Sequence, residues 1–468
     1  MKYLSSLNLK PFHKRFSMAC CPVVAFEKLY RDARFSFLYE SLESPTKRGR
    51  FSFLGGRPYL SVQSRRNHIR IGYGGEVHQE TGNPFTVLRA LVNGRRTGPQ
   101  ILPFAGGAVG YVSYDAIRFI EKIQDDNPDE LGVPDTNFIF PAEVVVFDHQ
   151  EKTVDIIVYS EEEGARRLEE LRQTIAACAG EPARRFEGNG EGAMMYDSNF
   201  KKESFKEMVR KSREYILAGD IFQVVLSQRF SFPLRSDPFL VYSALRRTNP
   251  SPYMYYLCLD DLQVAGSSPE ILVKVMDKKV TTRPLAGTRP RGKTAEEDLA
   301  VEKELLADEK ERAEHIMLLD LARNDIGRVC IHGSVRPTDL MSIERYSKVM
   351  HIVSNVTGDL RPDRDAFDVF EASFPAGTVS GAPKVRSMQI IDELENTRRG
   401  IYAGAIGYFD FSGNMDMCIA IRTIVMKDGK GYIQAGAGIV ADSDPEREYQ
   451  ETCNKARALM SAVDMTGG

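Results

Sequence analysis

The run from Gly400 to Val463 constrains this chain more than any other stretch. Three apolar, β-rich segments (Ile401–Phe411, Met415–Met426 and Gly431–Val440) are joined by Ser412-Gly413-Asn414 and Lys427-Asp428-Gly429, which predicts an antiparallel meander. A helix follows. Asp444 can accept the orphan amide hydrogens of its first turn, Pro445 suits its first position, and no proline interrupts Glu446 to Val463. Glu448 and Glu451 fall at i and i+3 on one face, with Lys455 one turn further along. Just before the helix, Ala435-Gly436-Ala437-Gly438-Ile439 is a small-residue backbone whose N–H groups could meet an anion.

Two carboxylates three apart usually mark a solvated helix face. A second pair changes that reading. Asp308 to Arg328 reads as a helix that turns apolar at Ile316, and Glu311 and Glu314 sit at its head with the same spacing. Two acidic helix ends facing each other suit a hard divalent cation. Magnesium takes oxygen ligands, keeps some of its waters and often bridges to an anionic substrate.

A length of 468 residues allows two or three structural units. The net charge of −3 creates no field that would recruit nucleic acid, and short basic clusters such as Lys47–Arg50 read as solvated loop. Seven cysteines without a Cys-x-x-Cys pair, two of them adjacent at Cys20 and Cys21, point to free thiols in a reducing compartment. No apolar run reaches membrane-spanning length, and the basic N-terminus lacks the long apolar core of a secretory signal. The expectation is a cytoplasmic protein without nucleic-acid or membrane partners, its N-terminus loosely held over the first dozen residues.

Residues 20–180 read as a β-rich unit. It has strands at Phe35–Tyr39 and Arg50–Gly55, a hairpin of Glu143–His149 with Thr153–Ser160, and a charged helix from Glu161 to about Ala177. Residues 181–199 lose hydrophobic pattern and read as a linker. Residues 200–464 form the second unit. It opens with a helix over Lys201–Ala218, a strand over Gly219–Phe230, a helix over Pro238–Arg247 and the turn-rich Asn249–Met254. Strands over Leu257–Val264, Ile271–Met276 and Val280–Thr282, a capping box at Thr294 and Glu297, and a helix opening at Ser380 follow. Helices and antiparallel hairpins mix without a βαβ rhythm, so the fold class is α+β.

Across residues 200–460 the chain carries a dense series of words, among them GDIFQVVLSQRF, NPSPYMYYL, SSPE, RPLAGTRPRG, DEKERAEHIMLLDLARNDIGRV, FPAGTVSGAPKVRSMQIIDELE and QAGAGIVADSDPEREYQET. In that order they resemble the chorismate-utilising enzymes, and the whole chain resembles the large subunits (component I) of the anthranilate synthases within that family. The N-terminal unit matches more thinly, through YESLE, RFSFLGG and PFAGGAVGYVSYD. The resemblance implies large antiparallel sheets packed with helices and a lyase reaction of tryptophan biosynthesis. Ammonia adds to chorismate at C2, the C4 hydroxyl leaves, and pyruvate is eliminated from an aminodeoxyisochorismate intermediate to give anthranilate. It implies Mg²⁺ held by Glu311, Glu314, Glu448 and Glu451, some through waters, with Lys455 offsetting charge nearby. It assigns the enolpyruvyl carboxylate to Arg422, Tyr402 and the backbone of Gly436, Ala437 and Gly438, and places Ala286, Gly287 and Thr288 in the substrate site. Glu270 corresponds to the acid that protonates the departing hydroxyl, and His351 and Thr378 to residues that orient the substrate and assist the elimination.

Two positions separate the branches of the family. Isochorismate and salicylate synthases carry a water-activating lysine where this chain has Gln223, and aminodeoxychorismate synthases usually carry a C2-attacking lysine where it has Ala286. Both speak for free ammonia and the anthranilate branch. Aminodeoxychorismate synthase component I is the nearest alternative, with an isochorismate-type enzyme behind it. The chain lacks a Gly-x-Cys-x-Gly nucleophile, so the resemblance implies a separate glutamine amidotransferase subunit that delivers ammonia, in a heterotetramer. It also implies inhibition by tryptophan, with Glu40, Ser41, Asn249, Pro250, Ser251, Tyr253, Met254 and Tyr255 as contacts; Tyr39 stands where leucine is usual.

Overall fold

The structure, a computed structural model, describes residues 9–42, 48–95, 102–184, 195–346 and 349–467. Residues 1–8 of the N-terminus expected to be loose, Lys47, and residues 185–194 of the expected linker lie outside them.

Two runs of antiparallel strands organise the molecule. One passes from Phe35–Leu42 through Tyr253–Leu259, Leu262–Ser268, Thr423–Lys427 and Lys430–Ile439 to Gln223–Pro233. The other passes from Gly107–Val112 through Ala405–Asp410, Met415–Ile419, Ile271–Met276 and Lys279–Thr282 to Val349–Asp359. The long strands Arg48–Arg65 and Thr136–Asp148 join them. Successive side chains on a strand point to opposite faces. Thus Phe37 enters a cluster with Val109, Ile406 and Cys418 between the two runs, while Leu38 joins Val24, Phe239 and Leu459 of helices on the outer face. The second run buries Val273 and Met417 against Phe85, Phe367 and Ile391 of another set of helices. The result is a helix–sheet–sheet–helix stack, an α+β architecture of large antiparallel sheets as the sequence implied.

Strands on either side of residues 181–199 share ladders: Phe35–Leu42 pairs with Tyr253–Leu259, and Gly107–Val112 with Ala405–Asp410. A change in sequence pattern there does not divide the sheets.

Several local expectations change. Lys10–Ser17 is a strand paired with Thr153–Ser160, so the chain is held from Lys10 onward. Leu257–Val264 is a hairpin rather than one strand, turning at Asp260, whose φ is +67°. The helix expected from Ser380 begins at Lys384; the Ser380 hydroxyl instead donates to Ala376 O at 2.8 Å. Thr294 does cap its helix, but Glu297 reaches back to Lys293 N rather than to the cap residue's own amide. Most consequentially, Met415–Met426 is broken. Met415–Ile419 pairs within one run and Thr423–Lys427 within the other. The chain changes layer over residues 420–422, and Arg422 takes φ +50°, a left-handed conformation that costs about 1–2 kcal/mol for a residue with a Cβ.

Candidate active site

That break opens the site. The ladder between Thr423–Lys427 and Lys430–Ile439 ends at Ile424 and Ile433, while the opposite edge of Lys430–Ile439 stays paired with Gln223–Pro233 up to Ile439. Beyond Ile433 that strand edge has no ladder partner among the described residues, and Lys455 Nζ donates to Gly436 O at 2.9 Å. Glycine lets this strand approach its neighbours closely. A Cβ at Gly436 would stand 2.6 Å from Tyr402 Oη, and one at Gly438 2.6 Å from Gln223 Nε2. Without a Cβ at 436 and 438, the backbone at these two positions is brought directly against Tyr402 and Gln223.

Arg422 lies in the break rather than within a strand, half-buried. Burial pushes its pKa below the ordinary guanidinium value, opposed by Tyr346 and Glu270. It makes no ion pair among the described residues. A partly desolvated guanidinium without a carboxylate of its own suits a carboxylate ligand, which its planar fork can bind through two hydrogen bonds.

Glu270 is buried, and its backbone is pinned by Ser268 Oγ to its amide (3.3 Å) and by Ile419 N donating to its carbonyl (3.0 Å). Burial pushes its carboxyl up to about 7, while Thr378, Arg422 and Lys455 pull it back down. Thr378 Oγ1 is itself buried and makes no well-formed hydrogen bond within the protein. Glu270 therefore keeps its proton to near neutrality, as a general acid must.

His351 differs. Burial drops its pKa to about 4, Gly287 O raises it, and the Arg422 and Lys455 charges lower it further. Its Nδ1 lies 3.2 Å from Gly287 O and 3.0 Å from Thr288 Oγ1. A carbonyl only accepts, so Nδ1 carries the proton and Nε2 keeps its lone pair. The imidazole is neutral and able to take a proton. The ladder between Leu285–Pro290 and Val349–Asp359 sets this contact by placing Thr288 opposite His351, and Gly287, at φ +67°, bulges to do it.

The two acidic pairs sit where the helix caps put them. Asp308 accepts from Lys310 N and Glu311 N (3.0 and 3.1 Å) and starts the Glu309–Gly327 helix; Asp444 accepts from Glu446 N and Arg447 N (3.1 and 2.9 Å) and starts Pro445–Asp464. The carboxylates feel one another across the gap. Glu314 is raised by burial, with a hydrogen bond from Gln223 Nε2 (3.2 Å) lowering it and the charges of Glu311 and Glu451 raising it. Glu448 is raised by burial and by Glu451. Glu311 is held by Arg289 (2.8 Å) and Glu451 by Lys455 (2.7 Å). Among the described residues no three His, Cys, Asp or Glu side chains converge closely enough to hold an ion directly. The donors are all oxygen, mutually repelling and spread over two helices. They fit a hard cation bound largely through its own waters.

The remaining expected residues gather elsewhere. Two adjoining cavities of about 100 and 310 Å³ share Ser41, Tyr253 and Asp416. Glu40, Met254 and Tyr255 line the smaller one. Asn249, Pro250 and Ser251 line neither cavity, and Ser251 O instead accepts from Leu42 N at 3.0 Å. Glu40 is fully engaged, accepting from Tyr242 Oη (2.7 Å) and from Arg246 Nε and Nη2 (2.7 and 3.0 Å).

Sequence reasoning missed two residues of the main site. Arg289 restrains Glu311, Glu304 and Asp308. It lies inside the word RPLAGTRPRG, two positions from Gly287 on the same strand, which was the available signal. The Tyr346 ring packs edge-on to His351 at 5.5 Å, and nothing in the sequence marks it.

A family model for chorismate binding enzymes matches residues 41–461, and the chain belongs to that family. Within it, the chain is 49% identical over 457 residues to anthranilate synthase component 1 of Aquifex aeolicus, covering 95% of this chain and 92% of that one. It is 47% identical over 462 residues to anthranilate synthase component 1 of Acetivibrio thermocellus, covering 95% and 93%. The crystal structure of anthranilate synthase component I from Streptococcus pneumoniae superposes with a TM-score of 0.79 at 40% identity, covering 88% of this chain and 92% of that one. The menaquinone-specific isochorismate synthase of Escherichia coli shares the fold, with a TM-score of 0.72 at 19% identity.

Proposed function

We propose that this chain is the synthase subunit of an anthranilate synthase, turning chorismate and ammonia into anthranilate and pyruvate. The observation that carries the reading within the family is the absence of a nucleophile at the two places that could hold one. Gln223 hydrogen-bonds Glu314 and abuts Gly438, and Ala286 has no amine. The nitrogen must then arrive as a free small molecule.

The residues divide the work. Arg422, Tyr402 and the open edge at Gly436–Gly438 hold the enolpyruvyl carboxylate. Glu270 protonates the departing C4 hydroxyl. His351, neutral with Nε2 free, takes the C2 proton as pyruvate leaves, and Thr378 orients the ring. Glu311, Glu314, Glu448 and Glu451 would hold Mg²⁺, mainly through waters, and the ion when bound would supply Lewis-acid polarisation of the substrate's ring carboxylate. Ammonia at neutral pH is mostly unreactive ammonium, which supports a glutamine amidotransferase partner, in a heterotetramer as in the family resemblance. The aromatic double cavity at Tyr253 and Asp416 supports tryptophan as inhibitor. Among the described residues no helix is long and apolar enough to cross a membrane, and every described cysteine is free, which supports the cytoplasmic assignment.

The test is incubation with chorismate, Mg²⁺ and ammonium salt near pH 8.5, following anthranilate by fluorescence and pyruvate by chromatography. Both products are expected. An aminated product that retains the enolpyruvyl group moves the chain to the aminodeoxychorismate branch; isochorismate alone overturns the role given to Gln223.

A further inference from the structure

Beside the substrate site is a small cavity of about 40 Å³. It is lined by Glu270 and Thr378 but by none of Arg422, Tyr402, His351 or the glycine strand. Thr282, Ser373, Arg283 and Asp325 supply the rest of its polar lining, the Thr282 hydroxyl being already engaged with Leu272 O at 3.0 Å. Three of these residues carry buried polar atoms without a partner in the protein: Thr378 Oγ1, Ser373 Oγ and Arg283 Nε. Each such atom costs roughly 1–3 kcal/mol when left unsatisfied. Three at the wall of one cavity mark a place for small hydrogen-bonding molecules. The volume of about 40 Å³ holds roughly three waters at ~10–15 Å³ each. Asp325 completes the lining as an ion pair with Lys384 Nζ (2.7 Å), and that ammonium also donates to Ser373 O (3.3 Å).

A buried general acid has a supply problem. Glu270 gives up its proton in every turnover of that reading, and its side chain is buried, with Arg422 and Lys455 as the charges that reach it from the substrate site. We propose that this cavity is a water site serving Glu270, which returns its proton after each turnover and takes up the water released from C4. The inference rests on the reading of Glu270 as the acid of the amination step. The balance closes. Glu270 passes its proton to the C4 oxygen, the C4–O bond breaks with its electron pair on oxygen, and water forms. Ammonia forms the C2–N bond with its own lone pair and then sheds one proton, which replaces the proton Glu270 lost. The cavity waters, anchored by Ser373 and Thr378, carry it back to the carboxylate. Asp325, paired with Lys384 and influenced by Arg328, is the other titratable group on the lining, while Arg422 and Lys455 face Glu270 from the substrate side.

The test fills the cavity from two different helices, with Ala322→Leu from Glu309–Gly327 and Ser373→Val from Ala366–Ser373. A milder variant, Ser373→Ala, removes one water anchor and adds no bulk. Each is assayed as the full chain with chorismate, Mg²⁺ and ammonium salt, and separately with synthetic aminodeoxyisochorismate, whose elimination needs no proton from Glu270. The filled variants should lose about tenfold or more in amination kcat and gain in solvent deuterium isotope effect, with Ser373→Ala intermediate and elimination unchanged in all three. Wild-type amination with an unchanged isotope effect in any folded variant overturns the proposal, as does an equal loss in both half-reactions. If the unaltered enzyme forms no amine from chorismate, it is the reading of the reaction that fails, before any variant is compared.

Discussion

Two buried glutamates, Glu40 within the strand Phe35–Leu42 and Glu270 in the turn before Ile271–Met276, have opposite surroundings. Glu40 is wrapped by the Arg246 guanidinium and the Tyr242 hydroxyl, so its charge is met on both oxygens. Glu270 has no cation within bonding distance among the described residues, and its pKa rises to about 7. The first arrangement makes a fixed wall; the second stores a proton that can be given away. The same contrast separates the regions around them. The cavities near Glu40 are lined by rings and satisfied pairs such as Tyr253–Asp416 (3.0 Å) and Lys274–Asp416 (2.8 Å). The site near Glu270 has an unpaired arginine, a neutral histidine, an open strand edge and carboxylates that repel. Glu270 and Arg422 keep their polar groups unmet within the protein, whereas Glu40 and Asp416 have theirs completed internally.

Removing each glutamate's function tests the contrast most directly. Glu270→Gln should lower amination kcat by about 10²–10⁴-fold while elimination from the supplied intermediate persists. In the unaltered enzyme at constant free ammonia, amination should fall as pH rises through about 7, where Glu270 gives up its proton. The stability sign follows. Between the ordinary 4.5 and about 7 the folded carboxyl binds a proton that the unfolded one lacks. The cost of burying its charge is therefore absent below 4.5 and fully present above 7, and Glu270→Gln should raise Tm at pH 8 but not at pH 4. Arg246→Met, by contrast, strands the Glu40 charge, and equilibrium denaturation should show a loss of about 3–5 kcal/mol. Equal responses of the two sites would erase the distinction.

Smaller effects sharpen it. Glu311→Gln and Glu451→Gln, made separately, should each lower turnover at fixed Mg²⁺ by roughly 10–100-fold with circular dichroism unchanged, because an amide is a poor ligand for a hard cation and its water shell. Arg422→Met should raise KM for chorismate by roughly 10–150-fold, the scale of a hydrogen bond to a charged group, ~1.5–3 kcal/mol. The least change is expected at the closed region. Tyr253→Phe removes the hydroxyl that Asp416 receives, a hydrogen bond worth ~1 kcal/mol, and should shift half-inhibition by tryptophan several-fold in steady-state assays.

Much of this was legible in residue order because it depends on local spacing. The acidic pairs, the capping Asp444 and the glycine strand each lie within a few residues of chain, and periodicity with turn chemistry is enough to place them, whereas the Asp308 cap emerged only with the structure. The α+β class followed from the absence of a βαβ rhythm. Family words supplied Glu270, Arg422 and His351, and residue order alone gave no reason for their roles.

Tertiary structure decided what those residues are. Whether Glu270 holds a proton depends on how much water surrounds it. That is a property of strands far apart in sequence, as is the loss of charge at His351 behind Leu285–Pro290. Arg422 looked like a strand residue because its neighbours are apolar on both sides; only pairing showed that the chain switches layers there and exposes the edge of the next strand. Local order fixes which faces a segment can present. Which faces meet, and so which charges go unsolvated, is set by contacts across hundreds of residues that no window of the sequence contains.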